Sequence, residues 1–172
     1  DQDDSSVILF SKSTDQAATW SSPVRINRLA GDCIDSDNTT EGAVPAMGAN
    51  GEIYVCWSNR DTLFFDRSLD GGVTWLDDDI FVDEQPGGWD YYIPGMLRCN
   101  GLPVTKTDLS NGPNHGTIYI NWTDQRNGSD NTDVWLSKST DGGTTWSSAA
   151  KINDDEYAKH QFLTWMDVDQ VT

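Results

Sequence analysis

Short apolar runs, set between polar stretches rich in glycine and aspartate, recur along this chain. Val7-Ile8-Leu9-Phe10, Leu63-Phe64-Phe65 and Val134-Trp135-Leu136 are continuous, the pattern of strands covered on both faces. Gly51-Glu52-Ile53-Tyr54-Val55-Cys56-Trp57 matches Gly116-Thr117-Ile118-Tyr119-Ile120-Asn121-Trp122. Both read as strands opened by a glycine turn. Each follows another plausible strand, at residues 43–49 and 102–108, and residues 162–169 form a third member of that set. The segments 21–27 and 147–153 are close copies of each other and more polar, and Pro23 suits the first to a sheet edge. The predicted class is all-β.

One turn punctuates these strands. Ser139-Thr140-Asp141-Gly142-Gly143-Thr144-Thr145-Trp146 recurs as Ser68-Leu69-Asp70-Gly71-Gly72-Val73-Thr74-Trp75, and in a worn form as Ser13-Thr14-Asp15-Gln16-Ala17-Ala18-Thr19-Trp20. The shared pattern is Ser-x-Asp-x-Gly-x-Thr-Trp, with Ala17 in place of the glycine in the first copy. The aspartate can accept from the backbone N–H groups just after it, and glycine permits positive φ. The tryptophan supplies an apolar plate to pin the turn onto its neighbours. Recurrence in phase with the strands makes this a repeat.

The motif resembles the Asp-box, or BNR repeat, of sialidases and related β-propellers. Gly31-Asp32-Cys33, residues 39–45 and residues 160–169 are similar in wording to bacterial secreted exo-sialidase-like propellers. The resemblance implies that each box joins the third and fourth strands of a four-stranded antiparallel blade. Lettering the strands of a blade A to D, the chain would run C-D, A-B-C-D, A-B-C-D, A. These are about three blades of a larger, six- or seven-bladed sialidase-like propeller. The implied blade parts are residues 1–27, 43–83, 102–153 and 162–172 within a single segment. An ordinary β-sandwich is the alternative for so many short strands, but gives no reason for the repeat in phase. Remaining blades are expected from further chain or from a partner subunit.

In that topology the boxes, with Asp15, Trp20, Asp70, Trp75, Asp141 and Trp146, are structural and lie on the face away from the binding site. The opposite face would gather residues 28–42, 59–62, 84–101, 123–132 and 154–161. Polar loops of this kind are where function concentrates. Sialidases hold the substrate carboxylate with arginines, whose fork geometry matches it, and use a Tyr nucleophile assisted by Glu, with an Asp acid/base. Arg60 and Arg126 take equivalent B-to-C positions, Arg98 falls in a D-to-A loop, and Asp61, Asp124, Tyr91 and Tyr92 are near them in sequence. The family's Arg-Ile-Pro motif has no true copy, its nearest match being Tyr92-Ile93-Pro94. Arg60 and Arg126 have a structural reading too, tying loops to acidic neighbours. Trp89, Tyr91 and Tyr92 form an aromatic cluster suited to stacking on a sugar or to plugging the loop onto the sheet beneath.

Two further expectations concern cross-links. The segment from Asp32 to Glu41 is rich in oxygen ligands, and Asp35, Asp37 and Glu41 would serve Ca²⁺ if it binds one; a solvated acidic loop is the plainer reading. No His/Cys cluster suggests zinc, and no cofactor is required. Cys33 and Cys99, placed in successive D-to-A loops by the implied topology, are expected to form a disulfide, with two reduced thiols as the alternative. Cys56 reads as a small buried hydrophobe.

Charge narrows the partners. With 28 Asp and Glu against 11 Lys and Arg, the formal net charge is −17, so nucleic acid is excluded as a partner for want of a basic patch. No stretch is long and apolar enough for a membrane span. The chain starts at Asp1 and stops inside the last expected strand, so a mature or partial segment of a secreted or cell-surface protein is expected. Two functions follow: a glycan-binding or adhesion module with a glycan or protein ligand on the loop face, or a sialidase-like glycoside hydrolase (an exo-α-sialidase) with catalytic groups outside these residues.

Overall fold

Alternation along each strand decides which face it buries, and here the inner strands at Ile53–Ser58 and Ile118–Asp124 bury both. The computed structural model describes residues 4–34 and 36–171. In chain order the strands are β1 (Ser5–Ser6), β2 (Leu9–Phe10), β3 (Val24–Arg25), β4 (Gly31–Asp32), β5 (Glu41–Met47) and β6 (Ile53–Ser58). They continue as β7 (Thr62–Ser68), β8 (Ile80–Glu84), β9 (Val104–Thr107), β10 (Ile118–Asp124), β11 (Asp133–Ser139) and β12 (Ala150–Lys151). Strands β5–β8 form a central four-stranded sheet and β9–β12 a second, both antiparallel and in sequential order. Strands β2 and β3 form a two-stranded antiparallel pair. The fold is all-β, with four-stranded antiparallel sheets, as expected from the sequence.

The central sheet is sandwiched. Ile53, Val55, Trp57 and Phe64 of one face pack with Ile8, Phe10 and Ile26 of the β2–β3 region. Tyr54, Cys56, Leu63, Phe65 and Val82 of the other face pack with Ile118, Ile120, Trp122 and Trp135 of the second sheet. Successive residues of β6 and β7 thus belong to different cores. Trp57, Phe65 and Trp122 are all fully buried. The thiol of Cys56 lies inside the second core, its pKa pushed above the usual thiol range by burial.

Each Ser-x-Asp turn is folded by the same hydrogen bonds. Ser13, Ser68 and Ser139 donate from Oγ to the aspartate Oδ1 at 2.8, 2.7 and 2.8 Å. Each serine Oγ also accepts an N–H four residues on, from Ala17, Gly72 and Gly143, at 2.8, 2.7 and 2.8 Å. Thr19, Thr74 and Thr145 close the ring, donating N–H to Oδ1 at 2.9, 2.8 and 2.9 Å and Oγ to Oδ2 at 2.6, 2.7 and 2.6 Å. The hydrogen bonds donated by Thr19, and then by Ser13, hold Asp15 down at about 2, and the matching donors hold Asp70 and Asp141 well below the usual carboxylate range.

Two features depart from the expected strand order. Ser5 and Ser6 pair with Asp32 and Gly31 in a small extra sheet, β1–β4. Residues 162–169 form no strand, although they lie along the outer face of the second sheet: Asn121 Nδ2 donates to Thr164 Oγ1 at 2.7 Å, and Gln170 Nε2 donates to Thr107 O at 3.0 Å. Among the described residues no neighbouring strand is present to pair with their backbone, and strand structure requires one.

Candidate functional site

The Ser-x-Asp turns follow the last residues of β7 and β11, Ser68 and Ser139. The β6–β7 turn and the β10–β11 loop therefore lie at the opposite end of the sheets. The loop of residues 85–103, leaving β8 beside Thr62 of β7, joins them at that end.

Gln85 organises this end. It is fully buried, and its amide Oε1 accepts from Ser58 Oγ at 2.8 Å while Nε2 donates to Gly101 O at 2.7 Å and Thr123 O at 3.3 Å. Its backbone N–H donates to Asp61 O at 2.7 Å. One residue therefore ties both sheets and two loops. Its position before Pro86-Gly87-Gly88 signals only a turn in the sequence, which is why it escapes sequence reasoning.

Arg60 and Asp61 are the two central residues of the β6–β7 turn, with φ of 53° and 56°, the pair of positive values a primed hairpin turn requires. Arg60 N–H donates to Asp37 O at 2.8 Å. Asp37 Oδ1 in turn accepts Asp90 N–H at 2.8 Å. Asp37 thereby draws the Arg60 turn towards the 85–103 loop. Burial, with Asp61 and Asp90 nearby, raises the Asp37 pKa.

The aromatic cluster divides by role. Trp89 is buried at 2% exposure and plugs the loop. Tyr91 is buried too, its hydroxyl hydrogen-bonded to Thr123 Oγ1 and donating to Asn100 O at 3.2 Å, and burial pushes its pKa above the usual phenol range. Tyr92 is 73% exposed. It borders a hollow of about 550 Å³ lined by Asp90, Tyr91, Tyr92, Met96, Leu97, Arg98 and Cys99. Beneath it Tyr91, Ile93 and Cys99 form a small core, packed by Met96 and Phe162.

The expected Cys33–Cys99 disulfide is absent. Cys33 is exposed, whereas Cys99 is 2% exposed within the small core beside Tyr91, where burial raises its thiol pKa. The candidate calcium ligands Asp37 and Glu41 sit in different elements. Asp37 is committed to the Asp90 N–H, Glu41 belongs to β5 opposite Ser58, and Asp35 lies outside the described residues. Among the described residues no group of three or more metal-ligating side chains gathers.

Arg126 stands apart from the hollow. Its guanidinium donates from Nη2 to Asp124 Oδ2 at 2.7 Å and Glu84 O at 2.9 Å, and from Nε to Asp124 Oδ1 and Oδ2, both at 3.0 Å. Nη1 lies 3.6 Å from Asp83 Oδ2, and the cation stacks 4.4 Å from the Trp135 ring centroid. Asp124 is buried and also accepts from Trp122 Nε1 at 2.8 Å. This is an inter-sheet clamp. The arrangement thus brings Asp90, Tyr92 and Arg98 to one hollow with the Arg60 turn tied in through Asp37, and leaves Arg126 and Asp124 with the sheets.

Neither protein-family models nor curated proteins match this chain.

Proposed function

We propose that this chain is a segment of an extracellular or cell-surface Asp-box β-propeller, and that it binds a glycan at the hollow beside Tyr92. The observation that carries the reading is the pairing of an exposed tyrosine ring with a hollow lined in part by Asp90 and Arg98, over an apolar floor. A tyrosine face stacks on the apolar face of a sugar, while Asp90 and Arg98 supply groups that can bond its hydroxyls or a carboxylate. The repeated turn, its identical hydrogen bonds and the stacked four-stranded sheets support the propeller, whose other blades come from further chain or a partner subunit.

Binding is favoured over hydrolysis by two features. The Tyr91 hydroxyl is buried and hydrogen-bonded, and the Arg126 guanidinium is occupied by Asp124 and the Glu84 carbonyl, so neither is free to meet a substrate. Titration calorimetry with a sialylated and a neutral oligosaccharide tests the reading. Saturable heat that Tyr92→Ala abolishes supports it. Heat unchanged by Tyr92→Ala, or none with either sugar, contradicts it. Turnover of a fluorogenic sialoside would favour the hydrolase instead.

A further inference from the structure

The central sheet and its neighbours are joined twice by one contact set. Phe10 and Phe65 each lie three residues before the serine of their own turn, and each receives the tryptophan of the next turn: Trp75 at 5.1 Å and Trp146 at 5.0 Å between ring centroids. One residue before that serine, Lys12 Nζ donates to Gly71 O at 2.5 Å and Arg67 Nη1 donates to Gly142 O. The joint is therefore an aromatic and a cation on one sheet, and a tryptophan and a carbonyl on the next turn.

Each half of this joint also occurs once without its partner. In the first turn Trp20 is 64% exposed, and Gln16 stands where Gly71 and Gly142 offer their carbonyls. On the second sheet Leu136 and Lys138 stand where the joint has its aromatic and its cation. Lys138 is exposed, and among the described residues its ammonium has no hydrogen-bond or ion-pair partner. Beside Leu136 a hollow of about 350 Å³ opens between Val134, Ile152 and Trp165.

The two loose halves fit each other better than either fits a copy of the internal joint. At Gly72 and Gly143 an added Cβ would stand 2.4 and 2.3 Å from Phe10 Cε1 and Phe65 Cε1. The first turn has Ala17 at that place, with φ of 68°, and so carries the Cβ that those rings exclude. Leu136 lacks the outer ring atoms of phenylalanine. A methyl gained on the turn is thus matched by ring atoms lost on the sheet.

We propose that the Leu136–Lys138 face of one copy of this chain receives the Ala17–Trp20 turn of a second copy, head to tail. Trp20 enters the hollow beside Leu136, and the Lys138 ammonium donates to the Gln16 carbonyl. Such a contact is heterologous, so it builds a ring or a filament. The inference rests on the turn geometry and not on glycan binding, so saccharide titrations and association measurements fail separately.

Sedimentation velocity over a wide concentration range tests it, with far-UV circular dichroism to establish folding. Wild type is expected to associate. Trp20→Ala and Lys138→Glu are each expected to stay monomeric alone and to form a one-to-one heterodimer when mixed, because one keeps the face and the other the turn. Leu136→Phe should weaken association at least tenfold, and Ala17→Gly added to it should restore association. A wild type that stays monomeric overturns the proposal, as do single variants that still associate alone.

Discussion

Trp146 meets Phe65 edge to face, ring centroids 5.0 Å apart and planes at 70°, although Phe65 is in the central sheet and Trp146 follows the turn of the second. Trp75 meets Phe10 in the same manner at 5.1 Å and 61°. A turn repeated for its shape is in its second and third copies also repeated for its reach, and each of those two fastens its own sheet to the preceding one.

Phe65→Ala should be among the most damaging single changes. Its ring is fully buried between Tyr54 and Trp146, and removing it should cost about 3–5 kcal/mol in urea unfolding. A double-mutant cycle with Trp146→Ala should return a coupling of about 0.5–1.5 kcal/mol. Additive losses would show that the edge contact is incidental.

Asp66 marks where the central turn departs from its siblings. In the first and third turns Ser11 and Ser137 donate from Oγ to Ser21 O and Ser147 O, each at 2.7 Å, and the Oγ of Ser21 and Ser147 accepts the Lys12 and Lys138 N–H at 3.1 Å. The central turn has Asp66 and Leu76 at these places. With no Leu76 hydroxyl, Asp66 Oδ1 accepts both the Arg67 and the Leu76 N–H, at 2.5 and 3.1 Å. Burial raises its pKa to about 6 from 3.8. An acid raised in the folded state binds its proton more tightly there, so stability falls as pH rises between those two values and is level above them. The loss is about 2–3 kcal/mol. Unfolding measured from pH 4 to 7 should show this slope in wild type, and Asp66→Ser with Leu76→Ser, which recreates the sibling pairing, should flatten it.

The turn aspartates act with the opposite sign. Asp15, Asp70 and Asp141 have lowered pKa values in the fold, so their contribution is present above the ordinary carboxylate value and is lost as pH falls through the folded one. Stability should therefore decline below about pH 4, and Asp70→Asn should make that decline shallower. An unchanged acid limb would contradict the hydrogen-bond rings described for these turns.

Arg126→Ala should destabilise by about 3–5 kcal/mol, since it strands the buried Asp124 carboxylate without a cation. A lysine keeps charge but not the fork that grips both Asp124 oxygens, so Arg126→Lys should recover only part. Thermal unfolding of both variants checks this. Full stability with lost saccharide binding would reassign Arg126 to the ligand.

Much of the fold is written in the sequence, and the reasons are local. The strands around Leu63-Phe64-Phe65 and Val134-Trp135-Leu136 follow from apolar runs, and the turns follow from Ser, Asp and Thr spaced to hydrogen-bond one another. The β1–β4 pair has no such mark, because Ser5, Ser6, Gly31 and Asp32 carry no apolar period. Residues 162–169 have a strand's pattern but, among the described residues, no partner strand, which only the folded chain reveals. At the loop end Tyr92 and Arg98 were legible as candidates. That Gln85 would hold the loops, that Cys99 would turn into a small core, and that Arg126 would reach Glu84 are facts of three-dimensional neighbourhood.

The turns fasten the sheets, and the proposed ligand site lies at the other end. Backbone amide NMR of the intact chain, titrated with a sialylated oligosaccharide, tests it most directly. Shifts should concentrate at Asp90, Tyr92, Leu97 and Arg98, extend to Arg60 through Asp37, and spare the turns at 13–20, 68–75 and 139–146. Shifts centred on those turns, or none anywhere, would contradict it.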